Sequence, residues 1–128
     1  LRDWVERRPD DPMPILSLGE LLSASKERLQ EGRELLEAGC ERFEDDHRVR
    51  ALLGGVLTQL GELEGAESLY RESLELSPND PALLSNLAVV LSGQGQTTEA
   101  EGLARRAVEL DPLDPISRRV LESISKKN

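Results

Sequence analysis

Apolar residues in the middle of the sequence recur with the spacing of an amphipathic helix. Within residues 47–60 the apolar positions with this spacing are Leu53, Val56, Leu57 and Leu60. They predict one buried helix face, because residues three, four and seven positions apart lie on the same side of an α-helix. Gly61 predicts the end of this helix, since glycine adopts the left-handed backbone conformation at little cost. A second apolar stripe follows and ends at Pro78, which cannot continue a helix. Residues 47–80 are therefore predicted to form two helices joined by a turn.

The same arrangement recurs 34 residues further along the chain. A shift of 34 residues aligns His47–Asp80 with Pro81–Asp114, and twelve aligned positions are then identical. Both predicted turn glycines, Gly61 and Gly95, are among them. Asp80 is predicted to cap the helix that follows it, with a proline at the first helical position. A fixed period of this length indicates a stack of similar helix pairs.

The two ends of the sequence fit the same period less well. Residues 12–46 are interpreted as a degenerate unit, with one extra residue within 24–28 and no turn glycine. Residues 1–11 resemble the end of a second helix, so the chain is expected to be an excerpt of a longer repeat protein. Residues 115–128 begin a fourth unit and are predicted to form a capping helix with a polar outer face.

The period and the order of small and large residues resemble the tetratricopeptide repeat family. In residues 47–80 the resemblance is carried by Leu53, Gly54, Leu57, Gly61, Ala66, Tyr70, Ser73 and Pro78. In residues 81–114 it is carried by Leu84, Leu87, Ala88, Leu91, Gly95, Ala100, Ala104, Ala107 and Pro112. The early tryptophan of the family is absent, because Arg50 and Leu84 occupy its position. The resemblance implies an all-α fold, a right-handed superhelix of antiparallel helix-turn-helix units, with about three units and a capping helix.

Small residues recur at three positions of the unit and predict close helix contacts. They form the aligned pairs Gly54/Ala88, Ala66/Ala100 and Ser73/Ala107. A larger side chain at such a position is expected to overpack the contact.

Composition and charge exclude several classes of function. The sequence carries 25 acidic and 16 basic residues, a formal charge of −9, and no basic cluster, which argues against nucleic-acid binding. No apolar run approaches the roughly 18 residues that a membrane span needs. One cysteine and one histidine provide no internal disulfide and no zinc site. Cys40 is interpreted as a buried thiol and His47 as a solvated side chain, so no catalytic, cofactor or metal site is predicted. The chain is not expected to be an enzyme. The sequence does not determine its cellular compartment, and the cytoplasm is the favoured one.

The predicted first helices are expected to line a concave groove that binds a partner protein. Those within residues 47–60 and 81–93 contain no acidic residue, and the former carries Arg48 and Arg50. The inner wall is therefore expected to be neutral to mildly basic. The resemblance implies that the groove-facing residues that contact the partner are Arg48, Leu52, Gln59, Ser85, Asn86, Val89 and Arg119. Further groove-facing positions are Met13, Ser17, Glu20, Gly55, Ala82, Ser92 and Val120. Asn86 is expected to hydrogen-bond a partner backbone, and Arg48 and Arg119 to attract acidic side chains; the alternative for each is an ordinary solvated side chain.

Three classes of function fit these observations. The favoured one is a protein-interaction scaffold, part of a larger repeat protein or assembly, that binds a protein or peptide segment. The alternatives are the substrate-recruiting arm of a multidomain enzyme, and a spacer that self-associates weakly through apolar ends near Trp4 or Ile124. The clamp for chaperone carboxylate tails found in some tetratricopeptide domains is not expected. Of its five positions only Asn86 matches, the others being Ala51, Gly55, Ile116 and Val120, and starting one unit earlier places Glu20 where it would repel the ligand.

Overall fold

Seven α-helices and one 3-10 turn form the part of the chain that the computed structural model describes, residues 11–126. The helices are α1 (Met13–Ser23), α2 (Leu29–Arg42), α3 (His47–Gln59), α4 (Leu63–Leu76), α5 (Pro81–Gly93), α6 (Thr97–Leu110) and α7 (Pro115–Lys126). The 3-10 turn, Lys26–Arg28, lies between α1 and α2, where the sequence predicted an extra residue. The predicted tail of a preceding unit lies outside the described residues, apart from Asp11.

Local sequence explains where the helices begin and end. Asp46, Asp80 and Asp114 each accept a hydrogen bond from the backbone N–H two residues on, at 2.9, 3.0 and 3.1 Å. Each therefore satisfies one of the backbone donors that the start of a helix leaves free. Gly61 and Gly95 have φ angles of 82° and 84°, the left-handed conformation predicted for the turns inside the helix pairs.

The helices pack as three antiparallel pairs, α1/α2, α3/α4 and α5/α6, followed by α7. The first helices of neighbouring pairs approach one another directly, α1 with α3, α3 with α5 and α5 with α7. Within residues 11–126 no comparable backbone approach joins the second helices, and Arg71 of α4 instead reaches Glu99 of α6 through an ion pair of 3.0 Å. This unequal spacing curves the stack, with the first helices on its inner side. The expected all-α solenoid is confirmed.

The core consists of aliphatic residues and of the small residues that the repeat predicted. Gly54, Ala88, Ala66, Ala100, Ser73 and Ala107 are all buried. At Gly54 an added Cβ would lie 2.9 Å from Cζ of Tyr70, so the tyrosine ring fills the space that the glycine leaves open. Two large apolar side chains remain exposed near the start of α7: Ile116 is 60% exposed and Leu113, just before the helix, is 87% exposed.

Candidate partner-binding groove

The inner surface of the first helices contains an open concavity between α1, α3 and α5. Its volume is about 390 Å³. It is lined by Met13, Leu16, Ser17, Glu20, His47, Arg48, Ala51, Leu52, Asp80, Ala82, Leu83 and Asn86. We call it the groove concavity. All three helix pairs contribute to it, because the repeat brings the corresponding faces of the first helices side by side.

The predicted partner-binding residues divide between this site and a second one. Arg48, Leu52 and Asn86 line the groove concavity. Val89 and Arg119 line a smaller concavity of about 170 Å³ between α5 and α7. Gln59 is exposed on the last turn of α3 and lies outside both. The structure therefore brings three of the seven predicted residues together at one place.

Ser85 does not face the groove, and that prediction is wrong. Its side chain is 1% exposed, and its Oγ lies 3.1 Å from Oγ of Ser117 on α7. Ser117 donates its own hydroxyl proton to Asp114 Oδ2 at 2.8 Å, so Ser85 is the donor within the serine pair. The residue faces the next first helix because α7 packs against this side of α5.

Arg48 faces the groove concavity, but its charge is neutralised there. Its Nε lies 3.0 Å from Asp46 Oδ1 and its Nη2 lies 2.7 Å from Asp46 Oδ2. This two-point pairing raises the pKa of Arg48 and lowers that of Asp46. Nη1 of Arg48 also lies 3.9 Å from the Met13 sulfur. Arg48 therefore presents an ion pair to the groove rather than a free positive charge.

Arg50, the second basic residue expected on the inner wall, faces the second helices instead. Its side chain is 16% exposed, and its Nε lies 3.4 Å from Glu72 Oε2 on α4. Glu20 and Asp80 line the groove concavity, while Arg48 is paired with Asp46. The prediction of a neutral to mildly basic inner wall is therefore wrong at the groove concavity, which is acidic.

The sequence-based expectation missed the two carboxylates, Glu20 and Asp80, for different reasons. The repeat places Glu20 in the groove, but the expected charge of the wall rests on the first helices of units two and three alone. Asp80 precedes its helix as a cap and therefore does not count among the residues of α5. The recurrence of Asp46, Asp80 and Asp114 at a spacing of 34 residues is the signal that places the capping carboxylates along one edge.

Other reactive side chains offer little chemistry. Cys40 is half-buried and free, and its pKa is raised to about 11, mainly by burial. Among residues 11–126 no group of three acidic, histidine or cysteine side chains is placed to hold a metal ion. None of the helices in the same range combines the length and apolar character of a membrane span.

The fold and the groove together define a solenoid of helix pairs with an open concave face. Two family models, both described as tetratricopeptide repeat, match residues 57–124 and 24–81. The first alone spans more than half of the sequence, so the chain belongs to the tetratricopeptide repeat family. No curated protein sequence matches the chain significantly.

Solved structures of similar fold come from several sources. TTC0263, a thermophilic tetratricopeptide repeat protein of Thermus thermophilus, superimposes with a TM-score of 0.84 at 22% identity, over 98% of this chain and 69% of that one. SycD, the type III secretion chaperone of Yersinia enterocolitica in complex with a peptide of the translocator YopD, gives 0.79 at 24% identity, over 90% and 92%. The first such domain of Spaghetti (RPAP3), bound to the HSP90 peptide SRMEEVD, gives 0.82 at 16% identity, over 91% of each chain. At these identities the likeness establishes the fold.

Proposed function

We propose that the chain is a protein-interaction scaffold that binds an extended or helical segment of a partner protein in the groove concavity. The observation that carries the proposal is the joint lining of one open concavity by α1, α3 and α5. Its apolar part includes Leu16, Leu52 and Leu83, and Asn86 stands exposed beside them. Such a surface can bury apolar side chains of a ligand while an amide pairs with the ligand backbone.

The likeness to peptide-bound structures supports this proposal. SycD and the RPAP3 domain, which have the same fold, each hold a peptide in the solved structures. The groove concavity of this chain contains no phenylalanine, tyrosine or tryptophan among its lining residues. Because aromatic residues dominate tight interfaces, we expect a dissociation constant of about micromolar order for each bound segment. In this proposal the chain binds and does not catalyse.

The experiment is a selection of binding peptides with matched variants of the domain. A random peptide library is displayed and enriched on the wild-type protein, and the enriched peptides are measured against Asn86→Phe and Gln30→Phe. Asn86→Phe places a ring in the groove concavity without adding charge, whereas Gln30 is exposed on α2, away from it. We expect Asn86→Phe to weaken binding by about tenfold or more while Gln30→Phe leaves it unchanged. Equal binding by both variants would place the binding surface elsewhere.

A further inference from the structure

We infer that the groove concavity selects partner segments in which a lysine or arginine stands beside an aliphatic residue. The inference rests on the proposed function, because it names the chemistry of the segment that the same site would take. It is the reverse of the sequence-based expectation that Arg48 attracts acidic side chains.

The floor of the groove concavity fits an aliphatic side chain. Leu16 and Leu83 are 7% and 3% exposed, so each offers a small apolar surface rather than a protruding side chain. Ala51 and Leu52 are half-buried between them on α3. A concavity of about 390 Å³ is near the lower end of the range for ligand sites, which suits one aliphatic side chain and the backbone next to it.

The charges around this floor are unbalanced. Glu20 is exposed on α1, and Asp80 precedes α5. Arg48 is the one arginine or lysine among the lining residues, and Asp46 holds it in two hydrogen bonds, at 3.0 and 2.7 Å. Asp11 adds a further negative charge that raises the pKa of Arg48. Within residues 11–126 neither Glu20 nor Asp80 is paired with an arginine or lysine, although Asp80 also accepts the Ala82 N–H as the cap of α5. A ligand therefore meets two carboxylates without a cationic partner, and an acidic ligand side chain would be repelled.

The position of α3 that corresponds to Glu20 carries no side chain. Gly55 occupies the position in α3 that Glu20 occupies in α1, at an offset of 35 residues. An added Cβ at Gly55 would find only the Tyr70 hydroxyl within 4 Å, at 3.6 Å. No α3 side chain extends from that position, so none competes there with a long basic side chain of the ligand for the Glu20 carboxylate. Flexible lysine and arginine stems also cover apolar surface while their charge stays in water.

The whole protein is acidic, so the effect of position must be separated from general attraction. A formal charge of −9 would favour any basic peptide. We instead expect the preference for basic peptides to depend on Glu20 and Asp80 more than on acidic residues elsewhere in the protein. Glu34, exposed on α2, provides the matched control, because Glu34→Gln makes the same change of charge away from the groove concavity. Asp80→Asn removes the second charge while keeping a side-chain oxygen for the helix cap.

The test uses the peptides from the display selection that Asn86→Phe weakens and Gln30→Phe does not. We call them groove-dependent peptides. The best peptide is synthesised with a fluorescent label, together with versions in which its basic residues are changed to glutamine or glutamate. Affinities are measured by fluorescence anisotropy for the wild type, Glu20→Gln, Glu20→Lys, Asp80→Asn and Glu34→Gln, and the fold of each variant is checked by circular dichroism. We expect groove-dependent peptides to carry lysine or arginine beside an aliphatic residue. Glu20→Gln and Asp80→Asn should each weaken the best peptide by about threefold, with Glu34→Gln near wild type.

Charge reversal gives the sharpest outcome. Glu20→Lys should bind the glutamate version of the peptide more tightly than the basic version, reversing the wild-type order. Groove-dependent peptides that are neutral or acidic, or equal losses for Glu20→Gln and Glu34→Gln, would overturn this inference and leave the proposed function standing. If Asn86→Phe weakens none of the selected peptides, the proposed function fails, and the inference fails with it.

Discussion

The hydroxyl groups of Ser85 and Ser117 lie 3.1 Å apart in the interior and join α5 to α7. Ser85 is 1% exposed and Ser117 is fully buried. The Ser117 hydroxyl in turn donates a hydrogen bond of 2.8 Å to Oδ2 of Asp114, the cap of α7. The last helix is therefore held to the stack by a short chain of polar contacts as well as by apolar packing.

The two serines are expected to differ in their effect on stability. Ser85→Ala removes one hydrogen bond and leaves Ser117 bonded to Asp114, so it should lower the free energy of unfolding by about 1 kcal/mol. Ser117→Ala leaves the Ser85 hydroxyl buried without this partner and should cost more, about 1–3 kcal/mol. Urea denaturation followed by circular dichroism measures both, with Ser125→Ala, exposed on α7, as the control. Equal losses for all three variants would show that the serine pair does not hold α7.

Gly54 and Gly102 are expected to respond oppositely to substitution by alanine. A Cβ at Gly54 would lie 2.9 Å from the Tyr70 ring, so the ring must move and Gly54→Ala should cost about 1–3 kcal/mol. Nothing lies within 4 Å of a Cβ at Gly102, which is exposed on α6. Gly102→Ala should therefore raise the free energy of unfolding by up to about 1 kcal/mol, as expected for alanine in a helix. Thermal melting compares the two, and stabilisation by both would contradict close packing at Gly54.

Asp46 is expected to give part of the acid sensitivity of the fold. Its pKa is lowered from 3.8, chiefly by the hydrogen bond with Arg48. A carboxyl whose folded pKa is lowered stabilises the protein above its unfolded pKa, and this contribution is lost as the pH falls through the folded value. Asp46→Asn keeps the cap but removes the ionisation, so the variant should be less stable than the wild type at neutral pH, by less than about 1 kcal/mol. The difference should shrink as denaturation is repeated below about pH 4, and a constant difference would contradict the pairing.

Cys40 is expected to react slowly with alkylating reagents in the folded protein. Burial raises its pKa from 9.0 to about 11, and only the thiolate is nucleophilic. At pH 8 this shift lowers the thiolate fraction by about a hundredfold. Mass spectrometry of iodoacetamide labelling should show slow modification of the native protein and rapid modification in urea. Equal rates in both conditions would show that the thiol is not protected by the fold.

The repeat made most of the fold predictable. Several local features recur at one spacing, so each occurrence supported the prediction of its counterpart in the next unit. They are the turn glycines Gly61 and Gly95, the capping Asp80 and the small residues Gly54 and Ala88. The irregular first turn was predicted from the extra residue within 24–28, but its 3-10 conformation was not, because a single insertion fits several turn geometries.

The candidate site was less predictable, because it depends on side-chain partners from different elements. Ser85 stands at a groove position of the repeat, but it is buried where α7 packs against α5, with its hydroxyl against that of Ser117. Arg50 bonds Glu72 on the next helix, and Arg48 bonds a cap two residues before it. Counting charges helix by helix cannot reveal such pairs, since the spacing alone does not say which carboxylate an arginine reaches.

The most direct test of the account is to locate a bound peptide on the protein. Amide signals of the isotope-labelled domain are followed by NMR while the selected peptide is added. We predict the largest shifts in the segments that form the groove concavity, residues 13–20, 47–52 and 80–86. Shifts confined to α2, α4 and α6 would contradict it.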